Sequence, residues 1–181
     1  MKAVLVTLLA LAASALAGPI IAERQLDTQA SAIDSLTEQI KGYTASINKT
    51  TEAAPSNPSL ADQNAAAAAL APDFQGITDA LNSATTLLSK RDFWVEERGL
   101  CDKTCLLIKV KILVYEIICT LKFVIIKLGL GCVLLYLKPL IIALSGLIKC
   151  LDKVVDGLLF AVKGILDALL GTIAGALLGL L

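Results

Sequence analysis

The sequence predicts an all-α fold in which a polar helical hairpin precedes a hydrophobic, disulfide-bearing helical bundle. Apolar residues recur at helical spacing in the first half, a proline-containing stretch interrupts them, and all five cysteines lie in an apolar second half. Of the 181 residues 56% are hydrophobic, above the ~45–50% typical of soluble proteins, yet only 4% are aromatic. A core of aliphatic side chains with few rings favours helix packing of low specificity.

The first residues, MKAVLVTLLALAASALA, combine a lysine, an apolar run and the small-residue pattern Ala15-Leu16-Ala17. This pattern predicts a secretory signal peptide over residues 1–17, with the mature chain starting near Gly18. The alternative is a short membrane anchor. A signal peptide predicts a secreted protein of the extracellular space or cell wall, with membrane association still open. In that compartment Asn48, in the sequence Asn48-Lys49-Thr50, is a candidate for glycosylation.

Residues 18–91 predict the polar helical hairpin. Its first helix carries an apolar residue every seven positions, with a second apolar position between them: Leu26, Ile33, Ile40 and Ile47, then Leu36 and Tyr43. The stretch TEAAPSNPS, residues 51–59, ends this helix because proline lacks a backbone donor.

A second helix is predicted to begin near Asp62, since the alanine run at 65–69 has high helix propensity. Pro72 is expected to kink or split it. Its apolar positions keep helical spacing: Phe74, Ile77, Leu81, Ala84 and Leu88. The hairpin is too small to bury much surface alone, so it either docks on another element or is a solvated spacer.

A dibasic pair, Lys90-Arg91, marks the boundary between this hairpin and a hydrophobic, cysteine-containing helical domain over residues 92–181. The pair resembles the sites that kexin-type proteases cut in the fungal secretory pathway, and it is therefore a processing candidate. The alternative is an uncut linker with ordinary surface charges.

The segment after Cys101 is rich in β-branched residues, which makes a strand the competitor of a helix. A helix is favoured, because a strand of this length would lack turn signals and strict alternation fails after Tyr115. In a helix the charged residues form two stripes, one of Lys109, Glu116 and Lys127 and the other of Lys111 and Lys122. Gly129 and Gly131 are predicted to end it.

From Pro139 onward the polar residues are predicted to share one helical face: Lys149, Asp152, Asp156, Lys163 and Asp167. Gly157, Gly164 and Gly171 form a neighbouring stripe, which indicates close approach by another helix or tolerance of mobility. Every charge-free stretch is shorter than the ~20 residues of a membrane span, so helices at an interface or in an assembly are favoured over spanning.

The cysteines are expected to be structural in a secreted chain, and at least two disulfides are expected to link the helices of residues 101–150. One leftover thiol would then predict a disulfide-linked dimer. The candidates are Cys101, Cys105, Cys119, Cys132 and Cys150. The chain contains no histidine, which argues against a metal site and leaves a cysteine or serine nucleophile without its usual base. No enzyme activity and no cofactor are therefore expected.

The charge distribution suggests the kind of partner. Between Lys103 and Lys163 nine lysines face three acids, while the first half is acidic. Lysine without interleaved arginine or aromatic residues suits anionic lipid or a polyanionic wall better than nucleic acid. We therefore expect self-association and binding to lipid, cell wall or another hydrophobic surface.

The layout of a polar helical half followed by an apolar cysteine-bearing half resembles small secreted fungal proteins that act at hyphal surfaces much as hydrophobins do. The segments AIDSLTEQI and DALNSATTLLSKRD are also similar to fungal hydrophobic-surface-binding proteins. Five cysteines without a doublet depart from the hydrophobin framework. The resemblance implies a secreted, self-associating, surface-active structural protein of a fungal wall or hyphal surface. The alternative is a membrane-inserting or membrane-permeabilising protein or peptide, released by dibasic cleavage.

Overall fold

The computed structural model describes residues 29–89, 101–152 and 157–177, and these residues form α-helices without any strand. Helix α1 covers residues 29–53 and α2 covers Leu60–Ser89. They are followed by α3 (Lys103–Leu128), a short 3-10 turn (Leu130–Cys132), α4 (Leu134–Asp152) and α5 (Leu158–Leu177). The predicted all-α class is confirmed. Signal peptide 1–17 and the pair Lys90-Arg91 lie outside the described residues.

Helices α1 and α2 form the predicted hairpin, and we call residues 29–89 the polar hairpin. The predicted core positions Ile33, Ile40 and Ile47 are fully buried. Helix α1 ends before Pro55, as expected. At the start of α2, Ser59 and Asp62 cap each other: the Ser59 amide donates to Asp62 Oδ2 at 2.9 Å, and the Asp62 amide donates to Ser59 Oγ at 3.2 Å.

Helix α2 continues through Pro72, so the predicted split is wrong. All but the last of its predicted apolar positions are buried: Phe74, Ile77, Leu81 and Ala84, with Leu88 partly buried. One continuous helix of 30 residues is thus long enough to cover a whole neighbouring helix.

Helix α3 confirms the choice of helix over strand, and its ends follow local signals. Asp102 caps its N-terminus by accepting a 2.7 Å hydrogen bond from the Cys105 amide. Gly129 ends it with φ +91°, a conformation that favours glycine. The predicted break at Gly129 is therefore confirmed.

The segment after Pro139 belongs to two helices, α4 and α5, and Gly157 adopts φ +81° immediately before α5 begins. The Leu159 amide donates to Asp152 Oδ1 at 3.2 Å across this break. A single polar face running from Lys149 to Asp167 is therefore wrong, since its residues fall on separate helices. Asp156 lies outside the described residues.

The polar hairpin lies beside α3 and α4, with α1 running parallel to α3 and α2 running parallel to α4. Along α1 and α3 the contacts advance together, from Asp34 with Lys109 to Thr44 with Glu116. Along α2 and α4 they advance in the same way, from the Ala67 carbonyl with the Tyr136 hydroxyl to Ser89 near Cys150. Helix α5 packs on α3 and, less closely, on α4. The polar hairpin is therefore docked on the C-terminal helices α3 and α4.

Both halves of the chain contribute to one hydrophobic core. It extends from Ile33 in α1 through Leu81 and Leu113 to Leu147 in α4 and Val162 in α5. Because these residues pack as one cluster, the hairpin hides apolar surface of α3 and α4 rather than standing apart as a spacer.

Candidate functional site

Large exposed apolar side chains concentrate on the C-terminal helices. In the described part of the chain, the polar hairpin exposes two of them, Leu60 and Leu87. The C-terminal helices expose the others: Ile108, Ile112, Tyr115, Ile126, Leu134, Leu135, Ile141, Ile142, Leu159, Phe160 and Leu170. Concentrations of exposed apolar side chains mark sites of association or adsorption. The exposed apolar side chains of α3, α4 and α5 are therefore the candidate functional site.

Helix α5 is the most exposed of the apolar helices. Leu158 and Val162 are buried against the bundle, whereas Phe160 is 82% exposed. Only 13% of the window Leu158–Gly175 is buried, and that window is long and apolar enough to cross a membrane. A helix with so few buried side chains presents its apolar surface to whatever surrounds the molecule.

Helix α4 passes the same length and composition test over Leu134–Asp152 but is 39% buried. Its outward side combines apolar residues with two lysines. We call this set the α4 outer face: Leu134, Leu135, Lys138, Ile141, Ile142 and Lys149.

Helix α3 exposes a narrow apolar stripe because neighbours cover its other sides. Ile108, Ile112, Tyr115 and Ile126 return to the same side at helical spacing. Cys119 lies on this stripe, and its hydrogen bond and nearby charge raise the pKa of the Tyr115 hydroxyl.

One predicted charge stripe of α3 is an internal contact surface. Lys109 Nζ donates to both Asp34 carboxylate oxygens at 2.6 Å, Thr44 donates to Glu116 Oε1 at 2.7 Å, and Lys127 Nζ donates to the Glu52 carbonyl at 3.0 Å. Sequence reasoning located the stripe but not its partner helix.

A row of threonines on α1 was missed at the sequence level. Thr37, Thr44 and Thr51 recur every seven residues and are buried, because each hydroxyl is satisfied locally or across the interface. Their spacing, identical to that of the buried isoleucines, was the available signal.

The cysteines differ most from expectation. Cys101 and Cys105 form a disulfide with Cα atoms 5.3 Å apart, across the first turn of α3. Cys119, Cys132 and Cys150 are free thiols. The prediction of at least two disulfides between helices is therefore wrong for the five cysteines, all of which are described. Each free thiol contacts its own helix or an adjacent one rather than another cysteine.

Among the described residues the predicted glycine stripe is not a packing surface. A Cβ built on Gly157, Gly164 or Gly171 meets none of their atoms within 4 Å. The prediction of close approach by another helix is therefore wrong for the described part of the chain, and Gly157 has the positive φ of a turn.

The glycosylation candidate Asn48 lies within α1 and is half-buried. Its Oδ1 atom is buried without a hydrogen-bond partner. Glycosylation at Asn48 stays a prediction.

In the described ranges no group of three or more ligand-type side chains could hold a metal ion. Comparison of the chain with known protein families, with curated proteins and with solved structures finds no match.

Proposed function

We propose that this chain is a secreted, self-associating, surface-active structural protein that adsorbs through its C-terminal helices. The observation that carries the proposal is the concentration of large exposed apolar side chains on α3, α4 and α5, with Phe160 of α5 as the extreme case. Removing such side chains from water is favourable by about 25 cal/mol per Å² of apolar area, so an apolar boundary attracts this side of the molecule.

The polar hairpin gives the molecule its opposite character. Its outward residues on α1 include Asp34, Glu38, Lys41 and Lys49. A protein with a polar hairpin and with exposed apolar side chains on its C-terminal helices orients at a boundary between water and air, wall or lipid. The exposed apolar side chains of α3 and α5 support self-association, because copies that meet through them remove them from water.

The biological setting comes from the sequence. A predicted signal peptide, the acidic first half and the resemblance to fungal hyphal-surface proteins support secretion to a wall or hyphal surface. This role requires no catalytic group and no cofactor.

A membrane-inserting or membrane-permeabilising role is the second candidate. Its support is that α4 and α5 are each long and apolar enough to span a bilayer. Insertion would require α4 to exchange its buried contacts with α2 for lipid. Cleavage at Lys90-Arg91 would assist that exchange by separating the hairpin from the C-terminal helices.

Pendant-drop tensiometry and vesicle leakage on the same secreted protein distinguish these roles. The surface-active role predicts a lowered surface tension at an air–water interface, with dye retained in vesicles at the same protein concentration. Leakage at low concentration supports the second candidate instead. Unchanged surface tension together with a monomer in sedimentation would contradict the proposal.

A further inference from the structure

We propose that the α4 outer face binds the headgroup layer of an anionic lipid bilayer. The inference rests on the proposed function, since it names the partner of part of the same apolar surface. Lys138 and Lys149 are exposed on this face and are the only charged residues on α4 before Asp152. They stand 11 residues apart, or about 16 Å along a helix.

The two lysines lie between two apolar rows. Leu134 and Ile141 flank them on one side, and Leu135 and Ile142 flank them on the other, as helical spacing requires. Leu135 is 80% exposed and Ile142 is 62% exposed. Ammonium groups can therefore reach lipid phosphates while the apolar rows enter the boundary between headgroups and acyl chains.

Asp152 is the described acid nearest to Lys149 in sequence, and its Oδ1 accepts from the Leu159 amide. Lys138 and Lys149 form no ion pair with another described residue, whereas Lys41 pairs with Glu38 and Lys109 with Asp34. The charge of the α4 outer face is therefore available to an anionic partner.

The same charges argue against a second copy on this face. A two-fold dimer built on it would bring the Lys138 and Lys149 side chains of both copies together, and like charges at short range repel. A soluble polyanion would contact the lysines but would leave Leu135 and Ile142 in water. An anionic bilayer satisfies both the lysines and the apolar rows.

The test is vesicle co-sedimentation of the full secreted chain, with phosphatidylglycerol-containing vesicles compared with phosphatidylcholine vesicles. We expect the native protein to prefer the anionic vesicles, and Lys138→Gln with Lys149→Gln to weaken that binding about 30-fold, since each lysine near an anionic surface contributes about fivefold. The matched control is Lys41→Gln with Lys49→Gln, which removes the same charge from the polar hairpin and should change binding less than twofold.

A second pair of variants tests the apolar contribution. Leu135→Gln with Ile142→Gln should also weaken vesicle binding, with helix content unchanged by circular dichroism because both side chains are exposed. The inference would be overturned if the native protein bound both kinds of vesicle equally, or if the two lysine-pair variants lost binding equally. It would also be overturned if the apolar-pair variant bound as well as the native protein. The last result would identify a general polyanion site.

Surface tension measured on the same proteins separates this inference from the proposed function. If the lysine pair fails to affect vesicle binding while native protein still lowers surface tension, only the lipid inference is lost. If native protein leaves surface tension unchanged, the proposed function is lost, whatever the vesicles show.

Discussion

Thr44 in α1 donates a 2.7 Å hydrogen bond to Glu116 in α3, across 72 residues of sequence. The contact joins the polar half of the chain to its apolar half, at a position where Thr44 is buried. The hairpin is therefore part of the folded core and not an appendage.

Replacing Thr44 with Val should destabilise the protein by about 1 kcal/mol, because the partly buried Glu116 carboxylate loses a donor. Urea unfolding measures the difference. Thr86→Val is the matched control, since Thr86 is exposed and its hydroxyl bonds only to the Asn82 carbonyl of its own helix. Equal effects of the two variants would mean that the contact between α1 and α3 contributes nothing measurable.

The approach of α1 to α2 should make two glycines respond in opposite directions. A Cβ on Gly76 would stand 2.5 Å from Cε1 of Tyr43, whereas a Cβ on Gly42 meets nothing within 4 Å. Gly42→Ala should stabilise by up to about 1 kcal/mol through helix propensity. Gly76→Ala should destabilise, because the Tyr43 ring must leave its packed position.

Thermal unfolding of both glycine variants decides this. Gly76→Ala should lower stability much less in a Tyr43→Ala protein, which lacks the ring, than in the native protein. A double-mutant cycle measures this difference. Stabilisation by both glycine substitutions would contradict the packing of Tyr43 on Gly76.

The free thiols should react at different rates with iodoacetamide in the native protein. Cys119 and Cys150 are partly exposed, whereas Cys132 is buried, and its burial raises the pKa of its thiol. Cys132 should therefore be labelled last at pH 8, because alkylation requires access and the thiolate. Peptide mapping by mass spectrometry measures the order, and early labelling of Cys132 would contradict its burial.

The raised thiol pKa of Cys132 also sets a direction for pH dependence. The protonated Cys132 thiol contributes stability that is fully present below the pKa of an unfolded thiol, about 8.5. That stability is lost as the pH rises through the pKa of the thiol in the folded protein. Cys132→Ala should flatten the loss of stability above that pH in denaturation curves. An equally steep loss in the variant would assign the effect to other groups.

Reduction of the Cys101–Cys105 disulfide should have a local effect only, since it links residues four apart in sequence. In hydrogen exchange, the amides of the first turn of α3 should exchange faster while those of buried Val114 and Leu121 keep their protection. Cys101→Ser with Cys105→Ser should reproduce the result without a reductant. Loss of protection throughout α3 and α4 would show a wider structural role.

The helices were predictable because their signals are local. The seven-residue spacing of Ile33, Ile40 and Ile47 marks a buried face, and the lack of turn signals through α3 outweighs its β-branched residues. The end of α3 at Gly129 follows from backbone freedom. Each of these signals needs only nearby residues.

The features that were missed depend on the fold as a whole. The partner of Lys109, Glu116 and Lys127 is α1, which sequence spacing does not reveal. Gly157 shares its interval with Gly164, yet it forms a break between helices because its φ is positive. Bonds between cysteines of different helices likewise depend on distances that spacing does not reveal, and Cys119, Cys132 and Cys150 stay free, whereas Cys101 and Cys105 pair locally across one turn. The exposure of α5 follows from its position at the edge of the bundle.

Adsorption through the C-terminal helices is tested most directly by replacing exposed apolar residues with glutamine, either on α5 or on the polar hairpin. Phe160→Gln with Leu170→Gln alters α5, and Leu60→Gln with Leu87→Gln alters the polar hairpin, with all four side chains exposed in the native protein. The measurement is the rate and extent of surface-tension decrease in a pendant drop at equal protein concentration. We expect slower and weaker adsorption for the α5 variant and native adsorption for the hairpin variant. An equal or larger effect of the hairpin variant would show that adsorption does not depend on the C-terminal helices.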